Sequence, residues 1–336
     1  MINYFNTILL LLIGCLAYGQ QPISNLKQFE IFGEAQGTTY QISYYHDAAI
    51  ISKNSLDSIF QVIDQSMSLY KKDSKINTFN QSKDKFMLLD NHMKAVVKKS
   101  FRFYKESKGK FDVTVKPLVS LWGFGPEKTK VIPDSALVRE TLKDVGMEKL
   151  VLKGNKLIKK VPNIQLDLNG IAQGYTVDVI YEYLKKHAVG SFLIEVGGEI
   201  RTRGLKPNQE EYRILIARPD SMNQGSNYVV GLKNKSITTA GSYENFRTVG
   251  NYKFSHHMDP NTGYPLKSTI ISATVITESA IDADGYDNVI MAMEPKEAIA
   301  FANKKNKMDI YLIYLDGAEI KEAYSKGFEK YIRIYK

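Results

Sequence analysis

The sequence predicts an α+β fold in which mixed sheets pack against helices, and three features carry that expectation. Apolar residues recur at helical spacing in several separate windows, short β-type runs follow one another without strict strand-helix alternation, and no Pro/Gly/Ser-rich linker interrupts residues 29–336. Strict alternation would instead point to a doubly wound parallel sheet. With 336 residues, 43% hydrophobic and 24% charged, the chain can bury a sizeable core, and its single cysteine rules out a disulfide framework. The expected organisation is a leader over 1–19 followed by one interlocked domain over 20–336.

Residues 29–45 read as a long first strand containing Gly33 and Gly37, glycines that in a strand mark a bulge or a close backbone approach. Ser55 heads a helix whose Leu56, Ile59, Phe60, Ile63 and Met67 share one face, and Asn91 starts another with Met93, Val97, Phe101 and Tyr104. A third helix runs from Asp134 through Leu137, Thr141 and Val145 to a stop at Gly146. Gly154-Asn155, between 150–153 and 156–161, is a two-residue hairpin signal, and 165–168 continues as strand. Helix then covers 170–186. Ile171, Tyr175, Val179 and Tyr183 form one row there, with Val177, Ile180 and Leu184 beside it, so most of its circumference is buried. Strands are expected at 192–196, 212–217, 229–232 and 270–276, helices at 284–293 and 296–304, and a last hairpin about Asp316-Gly317.

The 45 Lys+Arg against 36 Asp+Glu give +9, but the lysines are scattered as pairs (Lys71/Lys72, Lys98/Lys99, Lys159/Lys160, Lys185/Lys186). No helix-turn-helix, RNA-binding-sheet or zinc-finger pattern accompanies them, so the charge reads as solvated surface with a mild attraction for anions, and no nucleic-acid partner is expected. The apolar run 8–13 after MINYFNT is too short for a bilayer span and has the form of a secretory signal. Two exits stay open: Leu12-Ile13-Gly14-Cys15 resembles a lipobox that would acylate Cys15, whereas Ala17-Tyr18-Gly19 has the small-x-small form of ordinary cleavage. Either way the mature chain is expected outside the cytoplasm, with or without a lipid anchor.

Three stretches could carry chemistry. In DLNGIAQGYTVD, Asp167 ends a strand, and Gly170 and Gly174 open a helix whose free N–H groups suit an anion; equally, Asp167 or Asn169 merely caps that helix. In ESAIDADGYDNVIMAM, Asp282, Asp284, Asp287 and Asn288 sit near a helix start, with Asp284 and Asn288 one turn apart. These acids serve either as dipole compensation or as hard oxygen ligands for Mg²⁺, and spacing alone leaves both readings standing. In SHHMDPNTGYPL, His256 and His257 precede a Pro-stiffened turn, and two of the five histidines at one turn favour a role in proton transfer. The Leu121-Trp122-Gly123-Phe124-Gly125 corner and TTAGSYENF (238–246) read alone as ordinary loops.

Taken in order, MSLYKKDSKINTFN, FDVTVKPLVSLWGFG, DLNGIAQGYTVD, EVGGEI, TTAGSYENF, HHMDPNTGYP and DADGYDNVIMAM resemble the ApbE family of FAD:protein FMN transferases over nearly the whole chain beyond the leader. The resemblance implies a flavin site between two halves of the fold. It also implies Mg²⁺-dependent transfer of FMN from FAD to a Thr or Ser hydroxyl of a membrane or periplasmic redox protein, with release of AMP. By position, His256 matches the base. Asp284, Asp287, Asn288 and the backbone of Gly170 match the metal site, and Tyr70, Leu121, Trp122, Gly123, Asp167, Gln173 and Met258 match FAD-contacting positions. The chain departs from the family's frequent residues at Asn169 (Gly), Gln173 (Lys), Ser242 (Asp) and Asn288 (Thr), so that a carboxamide oxygen is expected at the metal and one phosphate-facing charge is missing. An FAD pyrophosphatase releasing FMN and AMP, and a non-catalytic extracytoplasmic flavin-binding protein, are the competing readings of the same scaffold.

Overall fold

The computed structural model describes residues 26–125, 131–216, 228–241, 246–249 and 252–333; the leader with Cys15, and Ser242, lie outside the described residues. Strands β1 (Lys27–Ala35) and β2 (Thr38–His46) are followed by helices α1 (Lys53–Met67) and α2 (Lys75–Gln81), strand β3 (Phe86–Leu88) and helices α3 (Asn91–Glu106), α4 (Lys116–Leu121) and α5 (Ser135–Leu142). Then come β4 (Leu150–Lys153), β5 (Lys156–Lys159), α6 (Asn169–Lys186), β6 (Ser191–Val196), β7 (Glu199–Arg203), β8 (Tyr212–Leu215), β9 (Val229–Leu232) and β10 (Ser236–Gly241). The order closes with β11 (Phe246–Val249), β12 (Tyr252–Ser255), β13 (Ile270–Thr277), α7 (Ala280–Met291), α8 (Pro295–Asn303), β14 (Asp309–Asp316), β15 (Glu319–Tyr324) and β16 (Ile332–Arg333).

Eight strands form one sheet in the order β1-β2-β6-β7-β10-β13-β14-β15, and its neighbouring strands pair antiparallel. Smaller sheets β3-β5-β4, β16-β9-β8 and β11-β12 flank it, giving the α+β architecture that the mixed element order predicts. On one face, Tyr40, Ile42 and Tyr44 of β2 and Phe192, Ile194 and Val196 of β6 bury against Val177, Ile180 and Leu184 of α6. Next to it, β13 packs with α7 and the apolar stripes of α1 and α3. The other face of β10, β13 and β14 is closed by Val230, Leu232, Phe328 and Tyr331. Strands covered on both faces read as continuous apolar runs, as 270–277 does. Among the described residues no helix is long and apolar enough to cross a membrane.

Several expected boundaries move. Residues 29–45 are two strands and not one: Gln36 and Gly37, at φ 55° and 77°, make the tight turn between β1 and β2. Gly33 marks no bulge, since the β1–β2 register is unbroken and the glycine faces Tyr40, whose ring lies where a Cβ would go. The first helix is capped by Ser52, whose side chain accepts from Ser55 N–H, and the second by Asp90. The third ends at Leu142, short of Gly146, and β5 stops at Lys159. Residues 165–168 are not strand; they run to α6 with Asp167 N–H donating to Val113 O at 2.7 Å. The helix expected from Asp284 starts at Ala280, which places Asp284 and Asp287 inside it.

Candidate functional site

Helix α7 is buried on nearly all sides, so carboxylates within it need partners of their own. Its free N-terminal N–H groups are met from α6: the Asp178 carboxylate accepts from Ala280 N at 2.8 Å and Ile281 N at 3.0 Å, and from Arg201 Nη1 of β7 at 2.6 Å. Burial pushes the Asp178 carboxyl up, and Arg201 and the two N–H groups oppose it. Asp282 faces elsewhere, pairing with Lys99 Nζ at 2.6 Å and accepting from Ser279 Oγ. The two readings of the acidic cluster therefore separate by residue: Asp282 serves the helix start and α3, whereas Asp284 and Asp287 turn inward.

The inward pair sits where α6 and α7 cross. Gly174 N–H donates to Asp284 Oδ2 at 2.7 Å, and a Cβ on Gly174 would lie 2.4 Å from Ala280 O, so glycine alone permits this approach. Burial raises the Asp284 carboxyl to about 7, with the Gly174 N–H opposing. Asp287, 3% exposed, is pushed well above the ordinary carboxylate range by burial and then by the Asp284 charge. A third carboxylate, Glu199 at the start of β7, is 9% exposed, and its Oε2 has no hydrogen-bond partner. Burial and the charges of Asp284 and Asp287 hold Glu199 well above its usual range. None of the three forms an ion pair with a described residue.

Asn288 Nδ2 donates to Gly170 O at 3.2 Å, to Asp284 O at 3.0 Å and to Asp287 Oδ1 at 2.8 Å. The amide nitrogen, not the expected oxygen, therefore faces Gly170. A half-turn of the carboxamide would exchange Oδ1 for Nδ2 at the same place. Gly170 itself breaks the first turn of α6 (φ −78°, ψ 20°), and its carbonyl is the one that meets Asn288.

At the entry to α6, Asp167 Oδ1 accepts from Asn169 N at 2.9 Å, as a capping role requires. Burial raises Asp167, and Lys116 at the start of α4, together with that N–H, opposes the rise. Gln173 approaches the β6–β7 turn, its Nε2 2.9 Å from where a Cβ on Gly197 would sit. From α4 the chain reaches Trp122, 3% exposed, whose Nε1 donates to Gly263 O at 2.9 Å. Its ring packs with Leu118, Val138, Val145 and Met258, so Trp122 holds the turn 256–266 rather than presenting an open ring face. Leu121 lines a cleft of about 440 Å³ between α4 and α5, and Gly123 turns the chain at φ 75°. Tyr70 is 70% exposed just beyond α1, and none of its contacts brings it to the carboxylates.

The two imidazoles stack with ring centroids 4.0 Å apart. His257 Nδ1 lies 3.1 Å from Ser255 Oγ, its carbonyl accepts from Leu266 N at 2.7 Å, and burial drives its pKa down to about 3, so the ring stays neutral. Both rings are half-buried, and His257 is tied into the turn by its contacts with Ser255 and Leu266.

Among the described residues no three His, Cys, Asp or Glu side chains converge closely enough to hold one ion. The donor set nevertheless suits Mg²⁺: buried hard oxygens from Asp284 and Asp287, the Gly170 carbonyl and the Asn288 amide, with the orphaned Glu199 Oε2 adding uncompensated negative charge. Glu199, Lys116, Asp178 and Arg201 are charged groups here to which the sequence alone assigns no role. Glu199 lay within a quoted motif, EVGGEI, as its one acid after the Gly-Gly turn.

The sequence profile of the ApbE family matches residues 36–312. An FAD:protein FMN transferase of Vibrio cholerae is 33% identical over 331 residues, covering 96% of each chain, and one of Haemophilus influenzae is 31% identical over 90% of this chain and 91% of its own. The solved structure of the flavin transferase ApbE from Vibrio cholerae superposes with a TM-score of 0.83 at 32% identity, covering 91% of this chain and 99% of that one. The apo Pseudomonas stutzeri flavinyl transferase ApbE superposes at 0.82 with 28% identity, covering 91% and 97%. With the profile spanning most of the sequence and these relatives matched along nearly their full length, the chain belongs to the ApbE family.

Proposed function

We propose that the chain is a Mg²⁺-dependent FAD:protein FMN transferase. The observation that carries this reading is the buried Asp284–Asp287 pair, held beside the Gly170 carbonyl with no cationic partner among the described residues, in a chain whose relatives bear that name. Asp284, Asp287, Asn288 and Gly170 O would hold the ion. Mg²⁺ bound there neutralises pyrophosphate charge and stabilises the departing AMP. The hydroxyl oxygen of an acceptor Thr or Ser forms a bond to the FMN phosphorus, the bridging P–O bond breaks, AMP leaves with the bond's electrons, and the hydroxyl proton passes to the His256 ring. Asp167, Gln173, Met258 and the 121–123 corner bound the flavin nucleotide, and Lys116 supplies positive charge beside Asp167.

The leader supports an extracytoplasmic place for this reaction, and labelling with a fatty acid reports whether Cys15 carries a lipid. Incubating the protein with FAD, Mg²⁺ and an acceptor fragment should give AMP and a fluorescent covalent adduct in equal amounts. AMP release at full rate without acceptor would favour the pyrophosphatase reading, and tight FAD binding without turnover the non-catalytic one. Asp284→Ala should abolish turnover. His256→Ala should bind FAD and fail to transfer; loss of transfer in His257→Ala alone would move the base to the other ring.

A further inference from the structure

We propose that Glu199 is a third anionic wall of the divalent-cation site, acting on the hydration shell of the ion and not as a direct ligand. This inference rests on the metal-binding part of the reading above. Glu199 comes from β7, which packs against both α6 and α7, while Asp284 and Asp287 come from α7, so the three buried carboxylates approach one region from different elements. Its Oε2 is enclosed and, among the described residues, accepts no hydrogen bond, a costly state for a buried polar group. The next sheet residue on the same face, Arg201, is already committed to Asp178 at 2.6 Å and stacked on the Tyr181 ring at 3.5 Å. Glu199 thus has carboxylates as its electrostatic neighbours and, among the described residues, no cation paired with it to offset them.

Because the three carboxylates do not converge on one point, a single ion cannot take all of them as ligands. Mg²⁺ keeps several of its waters in protein sites, and those waters donate outward. An enclosed carboxylate oxygen lacking a donor is what such a water needs, and groups in that position tune metal affinity by roughly 10–100-fold. The Gly197-Gly198 turn at the head of β7 is fixed by Glu195 Oε1 accepting from Gly198 N at 2.8 Å, which sets where Glu199 begins the strand.

The test is Mg²⁺ titration of the full chain without flavin, by calorimetry and by thermal melting, for wild type and Glu199→Gln. The neutral isostere should weaken Mg²⁺ binding by about tenfold or more. With EDTA it should melt at or above the wild type, because the amide replaces a group whose charged form is disfavoured beside Asp284 and Asp287. Equal Mg²⁺ affinity within twofold overturns the proposal, as does a variant that melts well below wild type in EDTA, which would make Glu199 a packing residue. A wild type that takes up no Mg²⁺ removes the site and the inference together. If Glu199→Gln loses Mg²⁺ affinity while the wild type makes no adduct from FAD, the transferase reading fails and this inference stands.

Discussion

The backbone N–H of Gly174 on α6 donates to Asp284 Oδ2 on α7 at 2.7 Å, so the closest approach of the two helices and the first carboxylate of the site are one contact. Gly174→Ala would place a Cβ 2.4 Å from Ala280 O and 2.6 Å from Asp284 Cβ. Backbone cannot step aside as a side-chain tip can, so the overpacking cost belongs at the upper end, about 3 kcal/mol. Urea unfolding should show that loss, together with weakened Mg²⁺ binding. A variant within 1 kcal/mol of wild type, about a third of that cost, would mean the helices can slide apart freely.

Asp178 fastens the start of α7, and its side chain and that of Arg201 are 14% and 15% exposed. Removing one member of a buried pair costs about 3–5 kcal/mol, because the other is left uncompensated. Arg201 keeps its stacking on Tyr181, so Asp178→Ala should fall near 3 kcal/mol, and the double variant with Arg201→Ala should lose less than the two single losses added. Additive losses in denaturant melts would show that the pair is not coupled.

Asp284 carries a pH signature. Its carboxyl is raised from 3.8 to about 7 in the folded chain, so between those values the folded state binds more protons than the unfolded one, and stability falls as pH rises. His257 works with the opposite sign: its pKa falls from 6.5 to about 3, so its share of stability is lost as pH drops below 6.5. The comparison is therefore between wild type and Asp284→Asn, in EDTA. The advantage of the variant should grow from pH 5 to pH 8, and Mg²⁺ should remove it by restoring the wild type. A melting difference that does not change with pH would show that Asp284 is not protonated in the metal-free fold.

The fold class was legible because buried helices leave strong local patterns, whereas the acidic cluster at 282–288 showed only as a cluster: its spacing did not say which acids turn inward. Strands β7 and β10 were not legible. In β7, Glu199 and Arg201 point at the helix layer, so a buried face is written in charged residues, and period-2 apolar reasoning finds no strand there. In β10, Ser236 and Thr238 do the same with hydroxyls. Asp178 ended a quoted motif without a role, because its partners Ala280, Ile281 and Arg201 are far away in sequence. Helix α7 begins at Ala280, one turn before the expected Asp284, because Asp178 from another helix meets its free N–H groups. The hold of Trp122 on the turn 256–266 was hidden for a related reason: its N–H partner, Gly263, lies 141 residues on.

That bond sets the last prediction. Trp122→Phe preserves an aromatic ring in the cluster with Leu118, Val138 and Met258 but deletes the donor to Gly263 O, leaving a buried carbonyl unpaired at a cost of about 1–3 kcal/mol. The cost should appear locally, in the turn that carries His256. Amide exchange of Asp259, Gly263 and Leu266, whose N–H groups donate to Tyr264 O, Asp259 O and His257 O, should accelerate, while the α6–α7 core stays protected. If the turn positions His256, transfer should slow with Mg²⁺ affinity unchanged, since the carboxylates belong to other elements. Unaltered exchange across 256–266 would show that the turn stands without the indole, and that His256 is positioned by its other contacts.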